Sequence, residues 1–198
     1  VQENSGSLLI DIALNTPHPS KDLKVSCAAV SGQAINGVDF VLAEDTVLIP
    51  AGNTSVSLTV NITDDNVDEF DEDFSIILTG TGSLDLNLGS NTVYRDTILD
   101  DDDAPEVSFT SASASGAESF QTRQLSFELS SVSQKDISVE YVITGGSATS
   151  GSDYIISNGT VNFPAGVSSR TLLYSIIDDT NEENAENIIT DLQNPLNA

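Results

Sequence analysis

The chain has 198 residues, 38% of them hydrophobic, enough to bury a core, so its acidity is not the signature of disorder. Six basic residues against 31 acidic ones leave a net charge of −25, which repels phosphate backbones and anionic lipid surfaces and argues against nucleic acid as a partner. No apolar run approaches the ~20 residues that cross a bilayer, so no direct membrane insertion is expected, and the single cysteine, Cys27, excludes an intrachain disulfide.

From the N-terminus onward the hydrophobic residues alternate with polar ones. Leu8, Ile10, Ile12 and Leu14 share one face, as do Val25, Cys27 and Ala29, then Val56, Leu58, Val60 and Ile62, then Phe74, Ile76 and Leu78. Further on come Leu125, Phe127 and Leu129, then Val161 and Phe163, then Leu172, Tyr174 and Ile176. Short alternating runs rich in β-branched and aromatic residues, bounded by Gly, Asn, Ser and Pro, predict half-buried antiparallel strands. No segment carries a helical period. Pro17-His18-Pro19 reads as an exposed turn, and a lone histidine has no partner for a catalytic triad.

The chain repeats itself. Gly37-Val38-Asp39-Phe40 returns as Gly151-Ser152-Asp153-Tyr154, Pro50-Ala51-Gly52 as Pro164-Ala165-Gly166, and Asp64-Asp65 as Asp178-Asp179, each 114 positions on (151 − 37). Glu69 and Glu72 return as Glu183 and Glu186 at the same displacement, although the residues between them differ. Two units of ~110 residues with about seven strands each predict an all-β fold of two tandem immunoglobulin-like antiparallel β-sandwiches. The units are expected at residues 1–103 and 104–198, the first without an opening strand and the second without a closing strand and its terminal acidic run. The expectation is a piece of a longer tandem array, with the absent strands supplied by neighbouring repeats or by strand addition from another chain.

The acids fall at strand ends and in loops. Asp39 follows a glycine turn, Asp64 and Asp65 end a strand, Glu69 and Glu72 precede Phe74, and Asp100 to Asp103 follow the last strand of the first unit. Such a set suits calcium, a hard cation that takes six to eight oxygen ligands, better than zinc, which prefers His and Cys. An EF-hand is rejected. Asp64, Asn66 and Asp68 fit its opening spacing, but Glu69 stands where the turn needs glycine and Ser75 where a bidentate glutamate belongs.

The segments GVDF, SVSLTVNITDD, NVDEFDEDFSIIL and TILDDDD resemble the Calx-beta repeat, and GSDYIISNGTVNFPAGVSSRTLLYSIIDD followed by TNEENAENIITDL resembles a second copy. Members of that family occur in the cytosolic regulatory region of sodium/calcium exchangers, in an integrin tail and in very large surface proteins. The resemblance implies a seven-stranded sandwich with Ca2+ bound at one end. For the first unit it implies ligands at Glu3, Asp39, Asp64, Asp65, Glu69, Glu72, Asp100, Asp101 and Asp102, with the carbonyl of Val67. For the second it implies Glu118, Asp153, Asp178, Asp179, Glu183 and Glu186, an incomplete set in a loop that departs from the family pattern, with Ala185 and Ile188 where Asp71 and Phe74 stand in the first unit.

Scarce lysine and abundant Asp, Asn, Ser and Thr point to an extracellular or cell-surface location. The expected function is a non-enzymatic, calcium-binding structural or adhesion module of a large repeat protein, with calcium stiffening the interdomain junction. The alternative is a calcium-sensing regulatory pair of a membrane transporter or signalling protein. Glycoside hydrolysis by paired carboxylates is disfavoured, because the chain lacks tryptophan for a sugar platform.

Overall fold

The computed structural model describes residues 1–81, 86–180 and 184–198. They divide into two units, Val1–Asn66 with Phe70–Asp101, and Val67–Glu69 with Asp102–Ala198.

In the first unit a single 3-10 turn, Glu3–Ser5, precedes seven strands: β1 (Ser7–Ala13), β2 (Leu23–Ser31), β3 (Phe40–Leu42), β4 (Thr46–Ile49), β5 (Ser55–Ile62), β6 (Glu72–Thr81) and β7 (Val93–Ile98). They form two antiparallel sheets, ordered β1-β5-β3 and β4-β2-β6-β7. The period of two sorts side chains between core and solvent: Leu58, Val60 and Ile62 of β5 are buried while Ser57 and Asn61 are exposed. Val25 and Cys27 of β2 meet Phe74 and Ile76 of β6 in this core. Phe40 and Phe74, both fully buried, stack at 4.4 Å between centroids. Burial and the nearby Asp45 raise the Cys27 thiol above its ordinary pKa, which leaves it an inert core residue.

The second unit contains β8 (Val107–Phe109), β9 (Thr122–Leu129), β10 (Ile137–Gly146), β11 (Tyr154–Ile155), β12 (Gly159–Phe163), β13 (Ser169–Ile176) and β14 (Ile188–Leu196). Its sheets are ordered β11-β13-β9-β8 and β12-β10-β14. Phe127 packs against Phe109 at 5.3 Å and Tyr141 at 6.1 Å, over Val139 and Phe163. The fold is therefore two tandem immunoglobulin-like β-sandwiches, as the alternation predicts.

The repeat survives at the level of register. Leu23 opposes Ile49 as Ile137 opposes Phe163, and Phe40 opposes Ile62 as Tyr154 opposes Ile176, all at the displacement of 114. The exception is the opening of each unit, where Ile12 pairs with Val56 but Phe127 with Arg170, so β9 matches β1 at 115. That extra residue keeps Ile12 and Phe127 on the inner face.

Two acids that the sequence reading leaves unassigned hold matching turns. The Asp22 carboxylate accepts a hydrogen bond from the Ala51 amide at 2.9 Å, and Asp136 accepts one from Ala165 at the same distance. In both turns the Pro carbonyl accepts from the amide three residues on, and Gly52 and Gly166 take the left-handed backbone (φ +83° and +78°) that the third turn residue requires. His18 is half-buried rather than exposed: its Nδ1 accepts from the Lys21 amide at 3.0 Å, and its carbonyl from Gly52.

Phe74→Ala is expected to destabilise the first sandwich by about 3–5 kcal/mol, because it removes a fully buried ring and leaves a cavity. Asp22→Ala removes one charge-assisted turn bond and should cost about 1 kcal/mol. Urea unfolding, followed by the intrinsic fluorescence of tyrosine, measures both.

Candidate metal centre

The ends of both sheets of the first unit bring acids together. The turn leading into β3 is closed by Asp39, whose Oδ2 accepts from the Ile35 amide at 2.6 Å, while Gly37 at φ +93° donates to the Phe40 carbonyl. The Asp39 carbonyl in turn accepts from Thr63 as β5 ends. Glu72 opens β6 opposite Ile98, the last residue of β7. The result is that carboxylate oxygens of Asp39, from one sheet, and Glu72, from the other, lie within 4.8 Å of each other. Burial first, and then the adjacent Asp39 charge, raise the Glu72 carboxyl above the ordinary glutamate value.

A second pair forms beside it in the chain path. Val1 and Glu3 strap the 3-10 turn to Leu99 by two backbone hydrogen bonds, Leu99 N to Val1 O at 2.8 Å and Glu3 N to Leu99 O at 3.0 Å. This places the buried Glu3 carboxylate within 4.8 Å of that of Asp100. Asp71 helps to set the position of Asp100 by accepting its amide at 3.2 Å, a role invisible in the sequence pattern.

Asp64 and Asp65 follow β5 and are exposed. Asp101 turns to Asn4, accepting from both its backbone and side-chain amides. Asp102 is half-buried, and Val67 and Glu69 lie in the segment that groups with the second unit. There Glu69 accepts from Gln134 Nε2. Its neighbour Asp68, 3% exposed, accepts from Lys135 Nζ and Ser133 Oγ, each at 2.6 Å. Asp68 lies in the acidic loop but is satisfied as a buried ion pair.

In the second unit Asp153 repeats the turn of Asp39: its carboxylate accepts from the Thr149 amide and its carbonyl from Ile177. Glu118, Asp178, Asp179 and Glu186 are exposed. Glu183 lies outside the described residues. The Phe74 position is Ile188, half-buried, so the aromatic stack behind the first unit's acids has no counterpart there.

Hard carboxylates delivered by several loops, with no His or Cys among them, fit calcium; magnesium demands a tighter octahedron and keeps more of its water. The acids are anchored through backbone straps and turns, so a cation would find them already gathered.

Comparison with known proteins matches these observations. The Calx-beta domain family model covers residues 1–94 and 100–198. Sodium/calcium exchanger 3 of Mus musculus is 26% identical over 213 residues, and sodium/calcium exchanger 2 of Rattus norvegicus 27% identical over 208. Each alignment spans 98% of this chain but only 23% of the exchanger, so the chain corresponds to less than a quarter of these relatives. Among solved structures, CBD12 from CALX1.2 is 25% identical, with a TM-score of 0.48 over 98% of this chain and 76% of that one. The apo-form Calx CBD1 domain is 27% identical, with a TM-score of 0.46 over 51% of this chain and 88% of that one.

The exchanger relatives correct the expected extracellular or cell-surface location. Modules of this family in exchangers belong to the cytosolic regulatory region, and the match runs along almost the whole chain. Scarce lysine misled because an acid-gathering pole depletes basic residues for its own electrostatic reasons, whatever the compartment.

The raised pKa of Glu72 has a definite sign. A carboxyl whose folded value exceeds its unfolded value of 4.5 adds stability below that pH and loses it as pH rises through the folded value. In chelator, the first unit should therefore lose stability on going from pH 4.5 toward neutrality, and Glu72→Gln should flatten that loss; thermal melts across the range measure it.

Proposed function

The chain belongs to the Calx-beta family, and from that premise we propose that it is a non-enzymatic calcium-responsive regulatory pair of an exchanger-type membrane transporter. The observation that carries this reading is the meeting of Asp39 and Glu72 across the two sheets of the first sandwich, where neighbouring like charge already disfavours ionisation of Glu72. Similarity to exchangers along the whole chain supports the transporter as the setting.

In this reading Asp39, Glu72, Glu3 and Asp100 form the kernel of the first unit's calcium site. Asp64, Asp65, Glu69, Asp101, Asp102 and the Val67 carbonyl are further ligands, recruited as the loops close around the ion. Calcium supplies the positive charge that the gathered acids lack. The second unit, whose Glu118, Asp178, Asp179 and Glu186 are exposed, binds more weakly, through these residues together with Asp153 and Glu183.

The regulatory step follows from differential affinity. Without calcium, repulsion loosens the pole; with calcium, the loops adopt one arrangement. An equilibrium elsewhere in the transporter shifts only by the difference between these two affinities. A regulator of this kind must respond at ~10⁻⁷–10⁻⁵ M calcium, whereas a structural extracellular site works at ~10⁻⁴–10⁻³ M.

Isothermal titration of the chelator-treated chain is expected to give a dissociation constant in the lower of these ranges, and an affinity only in the millimolar range would overturn the regulatory reading. At a hundred times the dissociation constant, calcium should add about 2.7 kcal/mol to stability. Asp39→Asn combined with Glu72→Gln should weaken binding at least tenfold while leaving the chelator-state melting temperature unchanged or higher. Unfolding of this double variant in chelator would show the pair to be structural.

A further inference from the structure

Asp101 differs from the acids beside it in what its carboxylate faces. The parallel strap that joins residues 1–3 to Leu99 brings the Glu3 and Asp100 carboxylates within 4.8 Å of each other. Further along both segments the chain closes with a clip: the Asn4 amide donates to Asp101 Oδ1 at 3.2 Å, and Asn4 Nδ2 donates to Asp101 Oδ2. Both oxygens of Asp101 are thus engaged by donors of one residue, the same two-oxygen grip with which a carboxylate takes a calcium ion. The turn that carries Asn4 is fixed without this clip. The Ser5 amide donates to the Gln2 carbonyl at 3.2 Å, and the Gly6 carbonyl accepts from the Ile62 amide at 3.2 Å as β5 ends.

We propose that Asn4 is a latch on the calcium site: its side chain holds the Asp101 carboxylate to itself, and the ion must take Asp101 from it. The proposal rests on the calcium reading above and deepens it, by naming the residue that sets how readily the pole loads and empties. The clip and the ion exclude each other, because Asn4 presents positively polarised N–H hydrogens to the very oxygens that a cation needs. Asn4 and Asp101 are both exposed, so water competes for their bond and its net worth is small; the attraction of a carboxylate to a doubly charged ion exceeds it. The latch therefore yields to calcium at a cost and closes again when the ion leaves. Glu3 and Asp100 keep their own anchors, Glu3 through Leu99 and Asp100 through Asp71, so opening the clip releases Asp101 without dispersing the other two acids. Asn4 is a positioning residue that acts through Asp101: it lowers affinity and speeds release, as a regulator that must reset requires.

The test titrates calcium chloride into the chelator-treated 198-residue chain and its variants by calorimetry, with release followed by stopped-flow mixing with chelator. Asn4→Ala removes the side-chain donor and keeps the backbone one, so it is expected to tighten calcium binding about three- to tenfold, chiefly through slower release, with the chelator-state melting temperature within a few degrees of the parent. Asp101→Asn should weaken binding, and adding Asn4→Ala to it should change the affinity no further, because the latch has nothing left to hold. An independent signature is read from the isotopically labelled parent chain: the Asn4 side-chain amide resonances should move on Asp101→Asn in chelator, and should move again in the parent when calcium is added. A chain that binds calcium while Asn4→Ala leaves the affinity unchanged or lowers it overturns the latch alone, as does an affinity gain that persists in the Asp101→Asn background. Asn4 resonances that ignore both Asp101→Asn and calcium overturn it equally, whatever the variants do. A parent chain that binds no calcium overturns the calcium reading and the latch together.

Discussion

Two carboxylates held ~4 Å apart repel by roughly 4 kcal/mol at an effective dielectric near 20, and every acid at the pole of the first sandwich is placed against that resistance. The forces that hold them are not electrostatic. Glu3 is carried by backbone bonds to Leu99, Asp39 by its own turn, and Glu72 by the ladder that starts β6 against the end of β7. Behind them, the Phe40–Phe74 stack ties the two sheets whose ends bear Asp39 and Glu72. Each fully buried aromatic contributes about 1.5–3 kcal/mol through burial alone, so the core can sustain a repulsive pole of modest size, and a proton or a cation must relieve anything larger.

Much of this was legible in the amino-acid sequence, for a physical reason. Period-two burial leaves a direct trace in Leu58, Val60 and Ile62, and turns that need a left-handed glycine leave one in Gly37, Gly52, Gly151 and Gly166. The strand-end position of the acids follows from those two signals. What a carboxylate does once it is there leaves no such trace. Asp22 and Asp136 look like solvated surface acids and instead lock turns; Asp68 sits in the acidic loop yet is buried with Lys135; Asp101 reads as a ligand and faces Asn4. Residue type and spacing report charge, whereas function depends on which donor each oxygen meets across the fold.

The repeat also carries two kinds of information that the sequence merges. Asp39 and Asp153 are identical in turn chemistry, each bonding back to the amide four residues earlier. That role alone accounts for a short side-chain acceptor at this position in both copies. The acid that distinguishes the two poles is the partner of Asp39: Glu72 is half-buried beside it, while its counterpart Glu186 is exposed. A shared aspartate is thus poor grounds for assigning equal calcium affinity to both units, and the burial of its neighbour is better grounds for separating them.

The same reasoning bears on the compartment. A pole that gathers acids excludes nearby lysine and arginine, because a basic side chain would neutralise the site and compete with the ion. Six basic residues among 198 fit such a pole, and composition of this sort does not say which side of a membrane the module faces. The discriminating quantity is the free calcium concentration at which the pole changes state. That threshold depends on how many carboxylates are pre-gathered and how rigidly, because each acid held in place by backbone straps, as Glu3 and Asp39 are, lowers the ordering cost that binding must meet. Strapping of Glu3 and Asp39 therefore favours affinity at the kernel, whereas Asp64 and Asp65, exposed on the loop after β5, can join the ion only by adding to that ordering cost.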